Sequence, residues 1–142
     1  HRSYAGALGI PQFMPSNYHT LGIRATAQYP LDLFHHHDDA ILSIAHFLAM
    51  KGWHAHQPIV HKRLRLDPLT PDAQRHPQPI KSLSKSLRNR LSANAAGLYQ
   101  PSNKVQYEIY DNFNVLLRYN RSPQYALAVT LMAQKLQPKW TP

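Results

Sequence analysis

Apolar residues recur at helical spacing in residues 35–53, which read HHHDDAILSIAHFLAMKGW. The residues at positions i, i+3, i+4 and i+7 of this pattern are Ile41, Ile44, Ala45 and Leu48. Asp38 and Asp39 come just before them, where the first turn of a helix favours negative charge, and Lys51-Gly52 supplies a stop. This segment therefore predicts a helix with one apolar face.

A second helical region covers residues 105–136. We expect one helix over 105–118 and another that Ser122 caps and Pro123 begins. The apolar residues of the latter again repeat at helical spacing: Tyr125, Ala128, Val129, Met132 and Leu136. The corner at 119–121 joins the two helices, and its polar groups can point into a cleft. With no internal repeat and no sustained strand alternation, the chain predicts an all-α, mainly helical fold.

Composition narrows the domain organisation and the partners. At 142 residues the chain is long enough for one domain with a core, so we expect residues 1–142 to form a single domain. Sixteen Lys and Arg against seven Asp and Glu give a formal net charge of +9, which favours nucleic acid, anionic lipid or an acidic wall polymer as a binding partner.

Residues 57–103 hold six prolines and two acids. They predict a variable basic region within the domain, with short helices after Thr70 and near Lys81. No apolar run approaches the roughly 20 residues of a membrane span.

The segment at residues 3–23, SYAGALGIPQFMPSNYHTLGI, contains no Asp, Glu, Lys or Arg. Gly6, Gly9, Pro11 and Pro15 lie close together in it, which a plain core helix would not need. Glycine lets the backbone approach another group closely. The segment therefore predicts tight loops and short helical turns packed around something.

Three segments, in this order, resemble the catalytic domain of the membrane-bound lytic transglycosylase B family: SYAGALGIPQFMPSNY, DDAILSIAHFLAMKGW and NFNVLLRYNRSPQYALAV. The resemblance implies a lysozyme-like fold that cleaves the β-1,4 bond between N-acetylmuramic acid and N-acetylglucosamine in peptidoglycan. In this family one Glu protonates the leaving oxygen and then acts as base, while the C6 hydroxyl of muramic acid closes a 1,6-anhydro ring. It also implies peptidoglycan strands as partner, no cofactor, and a periplasmic or outer-membrane-associated location in a bacterium.

The resemblance assigns substrate-binding positions one by one. Ser3 matches a serine near the catalytic carboxyl, and Gln12 matches a cleft glutamine that hydrogen-bonds the sugar. Phe13 and Met14 belong to the same motif and would line the cleft. The positions that match cleft residues near the other end of the chain are Tyr119, Asn120 and Tyr125.

The chain also departs from the family pattern. The family's catalytic Glu lies well upstream of the SYAGA segment, so we expect no catalytic residue here. The chain would then be the carboxy-terminal part of a catalytic domain, inactive alone, with the missing amino-terminal part as a partner. Glu108, the only glutamate, is expected to make a helix or interhelix contact. Where relatives often carry a calcium loop, residues 25–34 hold a lone Asp32, so we expect no metal site. Phe47 stands where the family has a cleft tyrosine, and His46 stands where it commonly has an asparagine.

Other interpretations of these residues stay open. Gln12 could cap local backbone, and Tyr119 and Tyr125 could be core tyrosines with satisfied hydroxyls. The histidines and aspartates at 35–39 could suggest a metal, but consecutive side chains at a helix start point in different directions. Two other functions are a non-catalytic peptidoglycan-binding remnant and a basic nucleic-acid-binding domain. No nucleic-acid reading motif supports the latter, so nucleic acid is not the expected partner.

Overall fold

The computed structural model describes residues 6–70, 72 and 75–137. The chain divides into two compact units, residues 1–52 (unit 1) and residues 53–142 (unit 2). The expectation of a single domain over the whole chain stays a prediction.

Unit 1 contains two described helices, α1 (Pro15–Leu21) and α2 (His37–Met50). Pro15 begins α1 at a position where the missing N–H would have no helical partner. Helix α2, with Asp38 and Asp39 in its first turn, confirms the predicted helix, but its buried face holds Ala40, Ser43 and Phe47, whereas Ile41 is exposed. The buried apolar residues of this unit are Phe13, Leu21, Leu33, Ala40 and Phe47.

Unit 2 is built around a four-stranded antiparallel sheet with the strand order β1-β4-β3-β2. The strands are β1 (Val60–Lys62), β2 (Gln78–Pro79), β3 (Gly97–Ser102) and β4 (Val105–Ile109). A short 3₁₀ helix at Ile80–Ser82 follows β2. The α-helices are α3 (Lys85–Arg88), α4 (Asp111–Tyr119) and α5 (Pro123–Leu136).

The sheet makes the fold mixed α/β, so the all-α prediction is wrong. The helix expected over 105–118 is divided: β4 ends at Ile109, Tyr110 is extended at φ −121° and ψ 176°, and α4 starts at Asp111. Short apolar runs fit a strand as well as a helix. Here the pairing of β4 with β1 and β3 decides for the strand, because strand preference depends mainly on the neighbours a segment meets.

The core of unit 2 forms where the sheet meets α4. Tyr99 on β3 and Phe113 on α4 are fully buried, and their ring centroids are 6.0 Å apart. Strands β2 and β3 approach so closely at Gly97 that a Cβ there would lie 2.2 Å from the carbonyl oxygen of Gln78. Only glycine fits this position.

Other local predictions are confirmed in part. Ser122 caps α5 through its Oγ, which accepts a hydrogen bond of 3.2 Å from the backbone N–H of Tyr125. The short helix expected near Lys81 is observed as Ile80–Ser82 followed by α3. The stretch after Thr70 lies partly outside the described residues. None of the helices in the described part of the chain combines the length and the apolar character that crossing a membrane requires.

Candidate functional site

A tight loop holds Gln12 in an unusual backbone conformation. An isolated antiparallel bridge closes the loop: the N–H of Leu8 donates to the carbonyl of Phe13 at 2.7 Å, and the N–H of Phe13 donates back at 3.0 Å. Gln12 has φ 52°, in the left-handed region that few residues other than glycine adopt. Such conformations cost on the order of 1–3 kcal/mol and cluster at ligand-binding sites. The loop thus carries the backbone signature of a functional segment.

Gly9 fixes this loop against the rest of unit 1. It has φ 68°, and a Cβ at this position would lie 2.4 Å from the carbonyl oxygen of Leu33. The next residue, Ile10, donates its N–H to that same oxygen at 2.7 Å. The close approach expected at Gly9 is therefore to the protein's own backbone. At Gly6, with φ 83°, a Cβ would meet no atom of the described residues within 4 Å.

The side chain of Gln12 is exposed and uses only part of its hydrogen-bonding capacity. Its Nε2 donates to the carbonyl of Gly9 at 2.8 Å. The amide oxygen accepts no hydrogen bond from any residue that the structure describes. An oriented amide with a free oxygen can accept a hydrogen bond from a ligand hydroxyl or amide.

Phe13 and Met14 differ in exposure. Phe13 is 2% exposed, and its ring centroid lies 5.8 Å from that of Phe47. Phe13 therefore supports the loop from the core, and any role in binding is indirect. Met14 is 45% exposed and precedes α1, so its side chain is available to a ligand. Ser3 lies outside the described residues.

Two aspartates order the segment that leads into α2. The Asp39 carboxylate, fully buried, accepts the backbone N–H of Ala25 at 2.7 Å and of Asp32 at 3.0 Å. These two hydrogen bonds hold the pKa of Asp39 below its ordinary value. Asp32 accepts from the ring of His35 and from the backbone N–H of Phe34, and these contacts lower its pKa.

The expectation that the chain has no calcium site concerns this same segment. The carboxylates of Asp32 and Asp39 are already engaged by protein donors. The described ranges hold no cluster of three or more His, Asp or Glu side chains that could bind a metal ion. That calcium does not bind stays a prediction.

In unit 2, three predicted residues lie around the turn between α4 and α5. Tyr119 ends α4, and Asn120 follows in an extended conformation. The Asn120 Oδ1 accepts the N–H of Ser122 at 3.0 Å, so its amide nitrogen is left to donate elsewhere. Burial, and secondarily the neighbouring Tyr125 phenol, raises the pKa of Tyr119 to about 12. Tyr125 itself is 41% exposed.

Glu108 lies on β4 and has a full set of partners, so the expected helix contact is wrong. Its Oε1 accepts from Arg63 at 3.1 Å, and its Oε2 accepts from the Ser92 hydroxyl at 2.7 Å and the Tyr110 hydroxyl at 3.1 Å. Arg63 also pairs with the buried Asp67 at 2.6 Å. These contacts give Glu108 a structural role in the sheet.

Sequence reasoning missed this ion-pair network and a cavity beside it in unit 2. The Arg63 and Asp67 spacing of four residues is a weak signal for the pair. The cavity has a volume of about 380 Å³ and is lined by residues of the segment after Trp53 and by the start of α4. No pattern in the sequence predicts it, since its walls come from separate parts of the chain.

Comparison with known proteins identifies the family. The family described as "Transglycosylase SLT domain" matches residues 1–134. The chain belongs to this family of transglycosylase domains, and the resemblance to lytic transglycosylases of the B type is confirmed. The membrane-bound lytic murein transglycosylase B of Escherichia coli (strain K12) is 27% identical over 139 residues, which cover 93% of this chain and 38% of that protein.

Solved structures give the same result. SltB3 from Pseudomonas aeruginosa, in complex with NAG-NAM-pentapeptide, is 27% identical with a TM-score of 0.71 over 95% of this chain and 40% of that chain. The Escherichia coli lytic transglycosylase Slt35, in complex with calcium, is 26% identical with a TM-score of 0.75 over 96% of this chain and 46% of that chain. The chain thus spans less than half the length of each of these relatives.

Proposed function

We propose that the protein is part of a peptidoglycan lytic transglycosylase that cleaves the β-1,4 bond between N-acetylmuramic acid and N-acetylglucosamine and forms 1,6-anhydromuramic acid. The observation that carries the proposal is the exposed amide of Gln12, held by a left-handed backbone in a closed loop. The complexes of the relative SltB3 with NAG-NAM-pentapeptide and NAG-anhNAM-pentapeptide support the substrate and product classes.

In the proposed reaction, the general acid is a glutamate that precedes these 142 residues in the complete protein. Its proton passes to the glycosidic oxygen as the bond from that oxygen to C1 of muramic acid breaks. The C6 hydroxyl oxygen of the same sugar then bonds to C1, and its proton returns to the carboxylate. One carboxyl group suffices, because the nucleophile belongs to the substrate. That the chain is only part of the catalytic protein is supported by the share of the relatives that it covers.

The residues of this chain would bind and orient the glycan. We propose that Gln12 and the exposed Met14 contact it from unit 1, with Phe13 supporting their loop from the core. From unit 2, burial raises the pKa of the Tyr119 phenol to about 12, so the phenol is neutral in the physiological range and can donate a hydrogen bond to a sugar oxygen. Asn120 offers its amide nitrogen, and Tyr125 an exposed ring. Ser3 is proposed on the motif alone.

A wall polymer as substrate requires a place in the cell envelope. We therefore propose a periplasmic or outer-membrane-associated location in a bacterium. The relative named membrane-bound lytic murein transglycosylase B supports this.

The test uses the complete polypeptide that includes the upstream glutamate, with purified sacculi as substrate. Gln12→Gly removes the amide and suits the left-handed backbone, so it separates binding from folding. We expect its free energy of unfolding to change by less than about 1 kcal/mol, since relief of strain offsets the added chain entropy. We expect the rate of anhydromuropeptide release to fall roughly 30- to 1000-fold, as when one oriented hydrogen bond at a reaction centre is lost.

The matched control is Gln28→Gly, a change at an exposed glutamine of unit 1 outside the loop. Its rate should equal that of the unmodified protein. Equal rates for Gln12→Gly and Gln28→Gly would remove Gln12 from the site. The 142-residue chain alone should release no anhydro product, and mass-spectrometric detection of that product would contradict the proposed upstream acid.

A further inference from the structure

Unit 2 has a concave site whose lining shares no residue with the positions proposed above. The cavity of about 380 Å³ lies between the segment that follows Trp53 and the start of α4. The residues that line it with polar or aromatic groups include Trp53, His54, Gln57, Asn94, Tyr110 and Asp111. This volume is at the lower end of the roughly 300–1,000 Å³ of small-molecule sites, which suits one or two small rings.

The walls of the cavity are held in place by hydrogen bonds. Asn112, itself buried, accepts the N–H of His54 at 2.9 Å and donates to the carbonyls of His54 at 2.8 Å and Gln57 at 3.2 Å. Tyr110 is buried, and its N–H donates to the carbonyl of Ile59 at 3.1 Å. These contacts bind the loop after Trp53 to the start of α4, so the cavity is already formed without a ligand.

Several groups that line the cavity have unused hydrogen-bonding capacity. Within the described residues, the side chains of Trp53, Asn94 and Asp111 make no hydrogen bond or ion pair. The indole N–H is a donor, the carboxylate is an acceptor, and the amide offers both. The lining therefore combines an aromatic side chain with planar polar groups that include hydrogen-bond donors and acceptors.

We propose that this cavity binds a single N-acetylated amino sugar of a glycan strand. Sugar hydroxyls and the acetamido group both donate and accept, which matches Asn94, Asp111 and the indole, while the aromatic ring offers an apolar surface to the sugar carbons. The carboxylate of Asp111 disfavours an anionic ligand. The choice of amino sugar rests on the proposed function. The site would give the protein a second point of attachment to the wall polymer, which raises its overall affinity for the strand.

The experiment is an NMR titration of the 15N-labelled 142-residue chain with N,N′-diacetylchitobiose, a soluble disaccharide of N-acetylglucosamine. The sequence has two tryptophans, and Trp53→Phe assigns the Trp53 indole signal. We expect this signal and the backbone amides of Asn94 and Asp111 to shift with one dissociation constant. Asp111→Asn should raise that constant roughly five- to tenfold, because hydrogen bonds to charged groups contribute more than neutral ones.

The control variant is Asp38→Asn. Asp38 and Asp111 are both exposed aspartates in the first turn of a helix, so the two substitutions alter the helix ends alike. Only Asp111→Asn should weaken binding. Equal dissociation constants for the two variants would overturn the assignment of Asp111 to the site.

Other outcomes separate this site from the proposed function. Shifts confined to Gln12, Met14 and the turn around Tyr119 would overturn the cavity site and leave the transglycosylase proposal standing. Shifts at Trp53, with no anhydro product from the complete protein, would support the cavity and contradict the enzyme. If ethylammonium, a small organic cation, shifted the Trp53 signal as much as the disaccharide does, the sugar would be ruled out as the ligand. The absence of any shift with the disaccharide would rule it out as well.

Discussion

Asp39 in unit 1 and Glu108 in unit 2 are both buried carboxylates, but different groups compensate their charge. Asp39 is 0% exposed and is held by two backbone N–H groups from the segment that precedes α2. Glu108 is 7% exposed and pairs with Arg63, a residue 45 positions away in sequence. The Asp39 carboxylate thus orders a neighbouring segment through hydrogen bonds from neutral backbone dipoles. The Glu108 carboxylate joins distant parts of the sheet through an ion pair between full charges.

The comparison shows how the two units depend on these groups. In unit 1 the donors are main-chain groups, and they remain whichever side chain is replaced. In unit 2 the partners are mainly side chains: Arg63 pairs with both Glu108 and Asp67, and Arg90 contacts Asp67 at 2.7 Å. Removing the charge of Arg63 leaves Glu108 buried without a charged partner among the described residues, while Asp67 keeps Arg90.

The largest effect is expected for Arg63→Met, which keeps a long apolar side chain and removes the charge. Loss of one member of a buried ion pair leaves uncompensated charge and costs about 3–5 kcal/mol of unfolding free energy. The side chain of Arg63 is 10% exposed, so water compensates little. Urea denaturation followed by circular dichroism at pH 7 measures the change.

The matched control is Arg65→Met on the exposed side of the same segment. An exposed substitution of this kind should change the unfolding free energy by no more than about 0.5 kcal/mol. If the two variants were equally stable, the ion pairs of unit 2 would contribute nothing and the contrast with unit 1 would disappear.

A smaller loss is expected for Asp39→Asn, because asparagine keeps one oxygen that can accept from Ala25 or Asp32. The pKa of Asp39 is lowered in the folded protein, so the carboxylate stabilises the fold above the unfolded-state pKa near 3.9. This contribution is lost as the pH falls through the lowered pKa.

Thermal unfolding measured from pH 7 down to pH 2 therefore tests the direction in which this contribution to stability changes with pH. The stability gap between the unmodified protein and Asp39→Asn should be full above about pH 5 and should shrink below about pH 4. His36 Nδ1 lies 3.9 Å from the Asp39 carboxylate, so His36→Gln is measured alongside as the control for the nearest titrating neighbour. A gap that widens in acid would refute the role of the ionised carboxylate.

The smallest expected effect is that of calcium. Because Asp32 and Asp39 are occupied by protein donors, millimolar calcium should leave the melting temperature unchanged, with magnesium as the matched control. A ligand that binds the folded state and not the unfolded state must raise the melting temperature. An increase of several degrees that a chelator reverses would show that calcium binds the folded protein and would contradict this prediction.

Much of the helical part of the fold could be predicted from the sequence. The spacing of Ile41, Ile44 and Leu48 predicts α2, and the Ser122-Pro123 pair predicts the start of α5. These signals are local, because a helix pairs its own backbone groups within four residues and begins at caps that neighbouring residues provide. The three motifs also placed the chain in its family, since their order and spacing survive at 27% identity.

The sheet, the conformation of Gln12 and the cavity beside Trp53 were decided only by tertiary structure. The sequence of β4 by itself predicts part of a helix, and the pairing with β1 and β3 makes it a strand. This pairing is not visible in the local sequence, because the hydrogen-bond partners of a strand can lie far away along the chain. Gln12 takes a left-handed backbone because the Leu8–Phe13 bridge and the contact of Gly9 with Leu33 close the loop around it. Phe13 belongs to the motif by sequence, and its burial against Phe47 depends on α2. Each of these features needs groups that chain folding alone brings together.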